Sequence, residues 1–446
     1  MRFKSKGIII VCAALIIAVS SFLATSCGEK RTTRTNANSS GDAPPARSLP
    51  PLPVRPLSDE LKKLRAGAMR EASMLRGLAW KSEVGMAELS GWEYGTRASE
   101  MARTMGGEDL RALSRLAVAG GVLPEGSDLA SLAASFTAVS AGATYSPLDK
   151  QILLVDKQGD SSLLTHEFVH ALQDQHFDLM KMLIVRPYNF DRTEAVFALI
   201  EGDAMNVQRR AEEGDSYARR SLEDITRQEN DRFSLYRKEY GALFPPLLTE
   251  TFIFRYRDGA RFVEAVRRKE GQRGIDNLFR TPPVSSEQIL HPEKYFQGEA
   301  PRDVQLNEAS LTQSGWRVVT ATSMGEIGLR GVLMAGVAER EALRASAGWG
   351  GDRAVLFERG GGASLFVWKS VWDKRADAEE FFKAYNTLQK QRKGVQPGGE
   401  STNGSEAQAT WREDSFTTIV LLINDSVIVL RGVEADVNAA IEAVRH

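Results

Sequence analysis

Histidine is scarce in this chain: its 446 residues hold five, at positions 166, 170, 176, 291 and 446. Cysteine is scarcer, with Cys12 and Cys27 alone, both near the start, so no disulfide is available to stabilise the body of the protein. Neither sign of charge predominates. The 57 Lys and Arg against 58 Asp and Glu leave a net charge of -1, spread along the chain, which excludes the basic field that draws in nucleic acid. There is no internal repeat and no phosphate loop: "AGWGGDRAVLFERGGG" is rich in glycine, but no Gly-Lys-Ser or Gly-Lys-Thr follows and the segment leads into a strand, so these read as turn glycines. What remains is ordinary globular composition, 42% hydrophobic, in a chain long enough for two domains.

The first residues read as an address. Arg2, Lys4 and Lys6 precede an apolar run from Ile8, and the small residues Ala24, Thr25 and Ser26 precede Cys27, the layout of a secretory signal. Ending on a cysteine after "LATS", residues 1–27 resemble a bacterial lipoprotein signal peptide. That resemblance implies lipidation of Cys27, export, and a lipid anchor in a membrane of the bacterial cell envelope. Residues 28–56 turn polar and then proline-rich, with Pro44, Pro45, Pro50, Pro51, Pro53 and Pro56. They are expected to be a disordered tether, stiff where prolines cluster, at about 3.1 Å per residue.

The folded body is expected to be α+β. Residues 57–312 carry apolar residues at helical spacing, interrupted by "SFTAVSAGATY" and "QILLVD", which flank "SPLDK" and read as a β-hairpin. A long helix follows, with Asp160, Ser161 and Ser162 as N-cap choices, and another covers roughly 191–213. Residues 313–446 read as strand hairpin, helix, strand hairpin, helix: a small antiparallel domain with helices on one face of its sheet and "QPGGESTNGSEAQ" as a loop insertion. Trp349, Trp368 and Trp372 read as core or interface aromatics.

Three of the five histidines fall in "THEFVHALQDQHF". On a helix His166 and His170 lie within roughly 40° of one another, a bite for one metal ion, while Glu167 points about 100° away, beside the metal but not on it. Leu164, Phe168, Ala171 and Leu172 fall on the opposite side, so one face can be buried while the ligand face meets a cleft. His176 is turned some 80° from His166 and is expected at the surface or behind the ligands. A third ligand is sought in "DRTEAVFALIEGDAM", where Glu194 and Glu201 share a helix face. Glu201 is favoured because Gly202 and Ala204 would let its helix approach the first closely. Two imidazoles and a carboxylate fill three positions of a tetrahedral zinc and leave one for water, whose proton Glu167 is placed to take.

"HEFVHALQD" resembles the active-site helix of the gluzincin, or thermolysin-like, zinc metallopeptidases. The resemblance implies a zincin-like catalytic domain over 57–312, one Zn2+ held by His166, His170 and Glu201, Glu167 as general base, and hydrolysis of a protein or peptide substrate. It also implies a supporting role for Asp174, with Asp203 a second candidate. For the oxyanion donor "SSEQILHPEKYF" offers His291 first and Tyr295 second, the histidine-proline pair being similar to one in prenyl-protease-like enzymes. Tyr145, before the zinc helix, would line the cleft beside an edge strand that pairs with substrate. A wider pattern, "HALQDQHFDL", "EGDA", "EQILHPEKY" and "GWGGDR", is similar to a group of bacterial metallopeptidase-like lipoproteins. The competing reading is a non-catalytic envelope protein, a binding or assembly factor, with a metal-stabilised core.

Overall fold

The structure, a computed structural model, describes residues 51–445 apart from 54, 141, 157–159, 185 and 186, and leaves out the side chains of 101–109 and 137–140. The signal peptide, Cys27 and most of the proline-rich tether lie outside the described residues. Among the described residues no helix is long and apolar enough to cross a membrane.

Side-chain caps set where the helices begin. α1 (Asp59–Arg76) starts at Ser58, whose hydroxyl accepts from Leu61, and α2 (Gly91–Ala119) opens with a capping box between Ser90 and Glu93. α3 (Leu129–Ser140) runs back along α2, fastened where Leu129 N–H donates to Ser114 Oγ at 2.9 Å. α4 (Ser161–Phe177) is capped by Asp160 and ends at Asp178 in the left-handed region. After α5 (Leu179–Leu183) comes α6 (Phe190–Glu213), capped by Asn189 and buried from Phe190 to Arg209 nearly throughout. Six more helices follow: α7 (Asp215–Arg219), α8 (Leu222–Tyr240), α9 (Pro246–Ile253), α10 (Gly259–Arg280), α11 (Ser286–Leu290) and α12 (Pro292–Gln297). A π-helical turn, Phe254–Asp258, joins α9 to α10.

The expected hairpin is present but shorter than its sequence outline. β2 (Ala143–Ser146) and β3 (Gln151–Val155) pair antiparallel, whereas "SFTAV" belongs to α3, where alanine and leucine favour helix and α2 offers a packing face. A strand the sequence reading did not mark, β1 (Gly85–Leu89), adds in parallel to β3, giving the order β1–β3–β2 and leaving β2 at an edge.

The C-terminal part holds α13 (Glu308–Gln313), β4 (Arg317–Thr322), α14 (Gly325–Leu333), α15 (Glu339–Ser346), β5 (Trp349–Arg359), β6 (Ala363–Trp372), α16 (Arg375–Gln391), β7 (Gln396–Asn403), β8 (Glu406–Glu413), β9 (Phe416–Ile423), β10 (Ser426–Gly432) and α17 (Glu434–Arg445). Its seven strands form one antiparallel sheet in the order β4–β5–β6–β10–β9–β8–β7. Two expectations need correction here. "QPGGESTNGSEAQ" is the outer hairpin of the sheet, not a loop insertion. Pro397 is tolerated on an edge strand, and Gly404, at φ 60°, opens its two-residue turn. Helices cover both faces of the sheet, not one: Val427 and Val429 of β10 pack toward Phe381 and Leu388 of α16, while Ile428 and Leu430 pack toward Val437 and Val444 of α17. Alternation of this kind leaves no polar face, which is why these strands read as unbroken apolar runs.

The expected boundary at 312/313 marks a change of texture, but the largest apolar core runs across it, joining Leu113, Leu199, Leu329, Trp349, Trp368 and Val429. Across the boundary Asp191 N–H donates to Ser323 O at 3.1 Å and Phe190 N–H to Thr322 Oγ1 at 2.8 Å, and just beyond it buried Asp352 ties the start of α14 to β5 and β6. Its carboxylate accepts from Ser323 Oγ (2.8 Å), the N–H groups of Met324 (2.9 Å) and Gly325 (3.0 Å), and the indoles of Trp349 (3.1 Å) and Trp368 (2.7 Å).

Candidate metal centre

α4 and α6 pack side by side and bring three ligand-type atoms together. His166 Nε2 and His170 Nε2 are 3.0 Å apart, and each is 3.2 Å from Glu201 Oε2. All three residues are buried. A second acidic cluster, Glu287, Glu299 and Asp373, surrounds the ammonium of Lys294 at 2.6–2.7 Å, so a protein cation already stands where its oxygens converge.

The hydrogen-bond network fixes which faces of the imidazoles meet. Gln173 Nε2 donates to Ile200 O and to Asp203 Oδ2, both at 3.0 Å, which turns Gln173 Oε1 toward His170 Nδ1 at 2.9 Å. His170 therefore carries a proton on Nδ1 and directs Nε2 at Glu201. His166 Nδ1 has no hydrogen-bond partner among the described residues, and its Nε2 meets the same carboxylate. When His166 also carries its proton on Nδ1, three lone pairs converge within hydrogen-bond distance, which is repulsive without a cation or proton between them. Two imidazole nitrogens and one carboxylate oxygen are a zinc donor set, and the burial that penalises an isolated charge suits a site closed around a metal.

With protein groups alone, a proton takes that role. Burial would push His170 down, but the carboxylate of Glu201 outweighs it and lifts the imidazolium to about 9. Glu201, which burial alone would raise, is held down to about 2 by His170 and His166. Metal binding at neutral pH must displace this proton.

Glu167 lies on the same helix but is aimed elsewhere: its Oε2 accepts the N–H of Tyr145 at 2.5 Å. Tyr145 sits on edge strand β2 opposite Ile152, and its hydroxyl donates to Asp174 at 2.6 Å. Asp174 also accepts from Lys150 Nζ (2.6 Å) and Leu179 N–H (3.1 Å), so it braces the hairpin turn and the start of α5, while the imidazole is oriented by Gln173. Asp203 acts one bond further out, holding Gln173 while accepting from buried Arg76 Nε at 2.6 Å.

Other expected groups have different partners. Glu194 forms a buried bidentate pair with Arg255, both bonds 2.6 Å, which commits it away from the ligand set. His176 bonds to Ala79 O at 2.8 Å near the surface. Gly202 gives close approach to α10, not α4: a Cβ there would lie 2.2 Å from the Gly259 carbonyl carbon, whereas Ala204 packs with the apolar side of α4. His291 Nε2 bonds to Glu326 at 2.9 Å, and Tyr295 packs against Phe262 and Phe296. Ser286, which opens the helix leading to His291, bonds to Asp191, about 15 Å along α6 from Glu201. The ligand face of α4, expected to meet an open cleft, is covered. Tyr256, on the π-turn, stacks over His166 with ring centroids 6.3 Å apart and planes 26° from parallel. π-turns often occur at functional sites, where an extra residue re-aims a side chain. Gln173 and Tyr256 were absent from the sequence reading. Gln173, one turn beyond His170, was open to the same helical argument, whereas nothing in the local sequence announces Tyr256.

A family described as a domain of unknown function, DUF8575, matches residues 313–442, the C-terminal sheet and its helices. No curated protein and no solved structure matches the chain.

Proposed function

We propose that this chain is a zinc-dependent endopeptidase with a zincin-like helical unit, held at the bacterial cell envelope by a lipid on Cys27 and acting on a protein or peptide substrate. The observation that carries the reading is the convergence of His166, His170 and Glu201 within 4.8 Å, with Glu167 on the same helix yet outside the ligand set. A zinc ion so held supplies Lewis acidity toward water and the scissile carbonyl. Glu167 takes a proton from the attacking water and returns it to the departing amine, its carboxylate oriented by the Tyr145 amide. All four residues of β2 are buried, so a substrate strand would reach its outer edge only where the cover yields, and would there set its carbonyl beside this group. His291 and Tyr295 stay proposals for the oxyanion donor, and Tyr256 joins them on its stacking against His166.

Burial of the whole set favours one other reading, a non-catalytic envelope protein whose core is stabilised by the same metal. Zinc content and casein cleavage of the purified chain separate the two. The peptidase reading expects one zinc per chain, and for Glu167→Gln an unchanged zinc content with cleavage reduced by about 10²–10⁴-fold. Equal cleavage by both proteins removes Glu167 from the reaction; zinc without any cleavage leaves the structural reading.

A further inference from the structure

The third histidine of "THEFVHALQDQHF" takes no part in the metal centre, yet it shapes a second concave surface. His176 Nε2 donates to Ala79 O at 2.8 Å. Its neighbour Gln175 accepts the N–H groups of Lys81 (2.8 Å) and Ser82 (3.3 Å) and donates to Ser82 O (3.0 Å). The segment that follows α1 is thereby fixed across the end of α4. With α5, the start of α6 and the end of α10 it encloses an open cleft of about 870 Å³. His176 stands about 9 Å along the helix from His170, so this cleft is separate from the ligand set.

The charge of the cleft is one-sided. Lys81, Lys181, Arg192 and Arg280 line it, all exposed, against a single carboxylate, that of Asp276, which is already bonded to Arg76 Nη1 at 2.8 Å. Lys81 Nζ donates to Gln175 O at 2.9 Å and Arg280 Nη1 to Asn277 Oδ1 at 3.1 Å, both neutral acceptors. The charged groups of Lys181 and Arg192 have no partner among the described residues. A second observation comes from behind the wall. Arg76 is 1% exposed, and its Nε and Nη1 hold Asp203 and Asp276. Its Nη2 has no hydrogen-bond partner among the described residues, a cost that an arriving acceptor would relieve. The guanidinium carbon lies 6.0 Å and 5.7 Å from the ring centroids of Phe177 and Phe279, which stack on one another and line the cleft.

We propose that this cleft is a second binding site, for a ligand carrying a phosphate monoester. It depends neither on zinc nor on peptide cleavage. Four cations around one cavity call for more than one negative charge on the group they meet. A carboxylate carries one, whereas a phosphate monoester carries about 1.5 to 2 at pH 7, on three acceptor oxygens. The planar forks of Arg192 and Arg280 suit such oxygens two at a time, and the ammonium of Lys181 adds a point charge. Exposed Ile184 and half-buried Met182, beside Lys181, give the rim an apolar contact for the organic part of the ligand. The headgroup of a phosphatidate-type lipid and a soluble phosphate ester share this chemistry.

The test is calorimetric titration of the full chain, stripped of metal by a chelator so that zinc cannot hold the phosphate, with glycerol 3-phosphate as the probe and acetate at equal ionic strength as control. Glycerol 3-phosphate is expected to bind about tenfold or more tightly than acetate. The double variant Lys181→Gln with Arg192→Gln, which changes two exposed side chains, is expected to weaken that binding about tenfold or more. Lys63→Gln with Arg70→Gln removes the same charge from the exposed side of α1 and is expected to leave it unchanged. Dihexanoyl phosphatidic acid, below its micelle concentration, then separates the two sources. Tighter binding than glycerol 3-phosphate, with the gain lost in Ile184→Ser, identifies a lipid headgroup; equal binding identifies a soluble ester. Acetate bound as tightly as glycerol 3-phosphate, equal losses in the two double variants, or dihexanoyl phosphatidylcholine bound as tightly as the phosphatidic acid overturns the proposal, as does the absence of any phosphate binding.

Discussion

Tyr145 and Glu167 are joined through the backbone: the tyrosine N–H, on the edge strand, donates to the glutamate Oε2 at 2.5 Å, while the tyrosine hydroxyl reaches Asp174, two turns further along the same helix. One residue of β2 thus fixes the position of α4 at two points. Tyr145→Phe removes the hydroxyl but keeps the amide. It is expected to destabilise the fold by about 1.5–3 kcal/mol, the range for a hydrogen bond to a charged group, without changing zinc content. Urea unfolding and metal analysis check both halves.

Gln173 sets the tautomer of His170 and is itself held by Ile200 O and Asp203. Gln173→Ala leaves the ligand atoms in place but frees the ring, so zinc affinity is expected to fall about 10–100-fold, measured by competition with a chromophoric chelator.

Gly202 is required by packing. A methyl group there meets the backbone of Gly259, and one on Gly259 lies 2.1 Å from Ala198 O. Neither backbone can shift without moving Glu201. Gly202→Ala is expected to cost at least the upper end of the about 1–3 kcal/mol typical of overpacking, and to lower zinc affinity as well, read by thermal unfolding with and without zinc.

Asp191 sits at the junction of the two halves: its N–H donates to Ser323 O at 3.1 Å, and its carboxylate accepts Ser286 N–H at 2.9 Å. Burial pushes it up to about 8, against the hydrogen bonds from Ser286 and with the charge of Asp352 adding to the rise. Its folded value is above its unfolded one, so the native state binds more protons between about pH 4 and pH 8. The stability it contributes is complete below about pH 4 and lost as pH rises through about 8. Asp191→Asn keeps the acceptor and removes the titration. The fall in thermal midpoint between pH 4 and 8 is expected to be shallower in the variant, with Glu287, raised to about 7 chiefly by burial, supplying part of what remains.

The pairing of His166 with His170 was legible because helical periodicity alone puts residues four apart on one face. The choice of Glu201 over Glu194 rested on its small neighbours, of which Ala204 packs with α4 and Gly202 with α10, and the decisive fact is a distant one: Arg255 claims Glu194. The hairpin's turn residues were readable and its strand length was not, since "SFTAV" suits either state and only the face of α2 selects helix. The outer hairpin of the large sheet was misread because an exposed edge strand has no apolar alternation to reveal it.

By itself the sequence determined the ligand helix with its start among three adjacent cap candidates, the hairpins β5–β6 and β9–β10 with the helices α16 and α17 that follow them, and the absence of disulfides in the body, all of which follow from spacing and composition within a few turns of chain. Only the tertiary structure decided that Gln173 orients the imidazole, that Tyr256 covers His166, and that both faces of the large sheet are buried. Such contacts join residues tens or hundreds of positions apart, and no local periodicity encodes which distant side chain will meet a given one when the chain closes on its core.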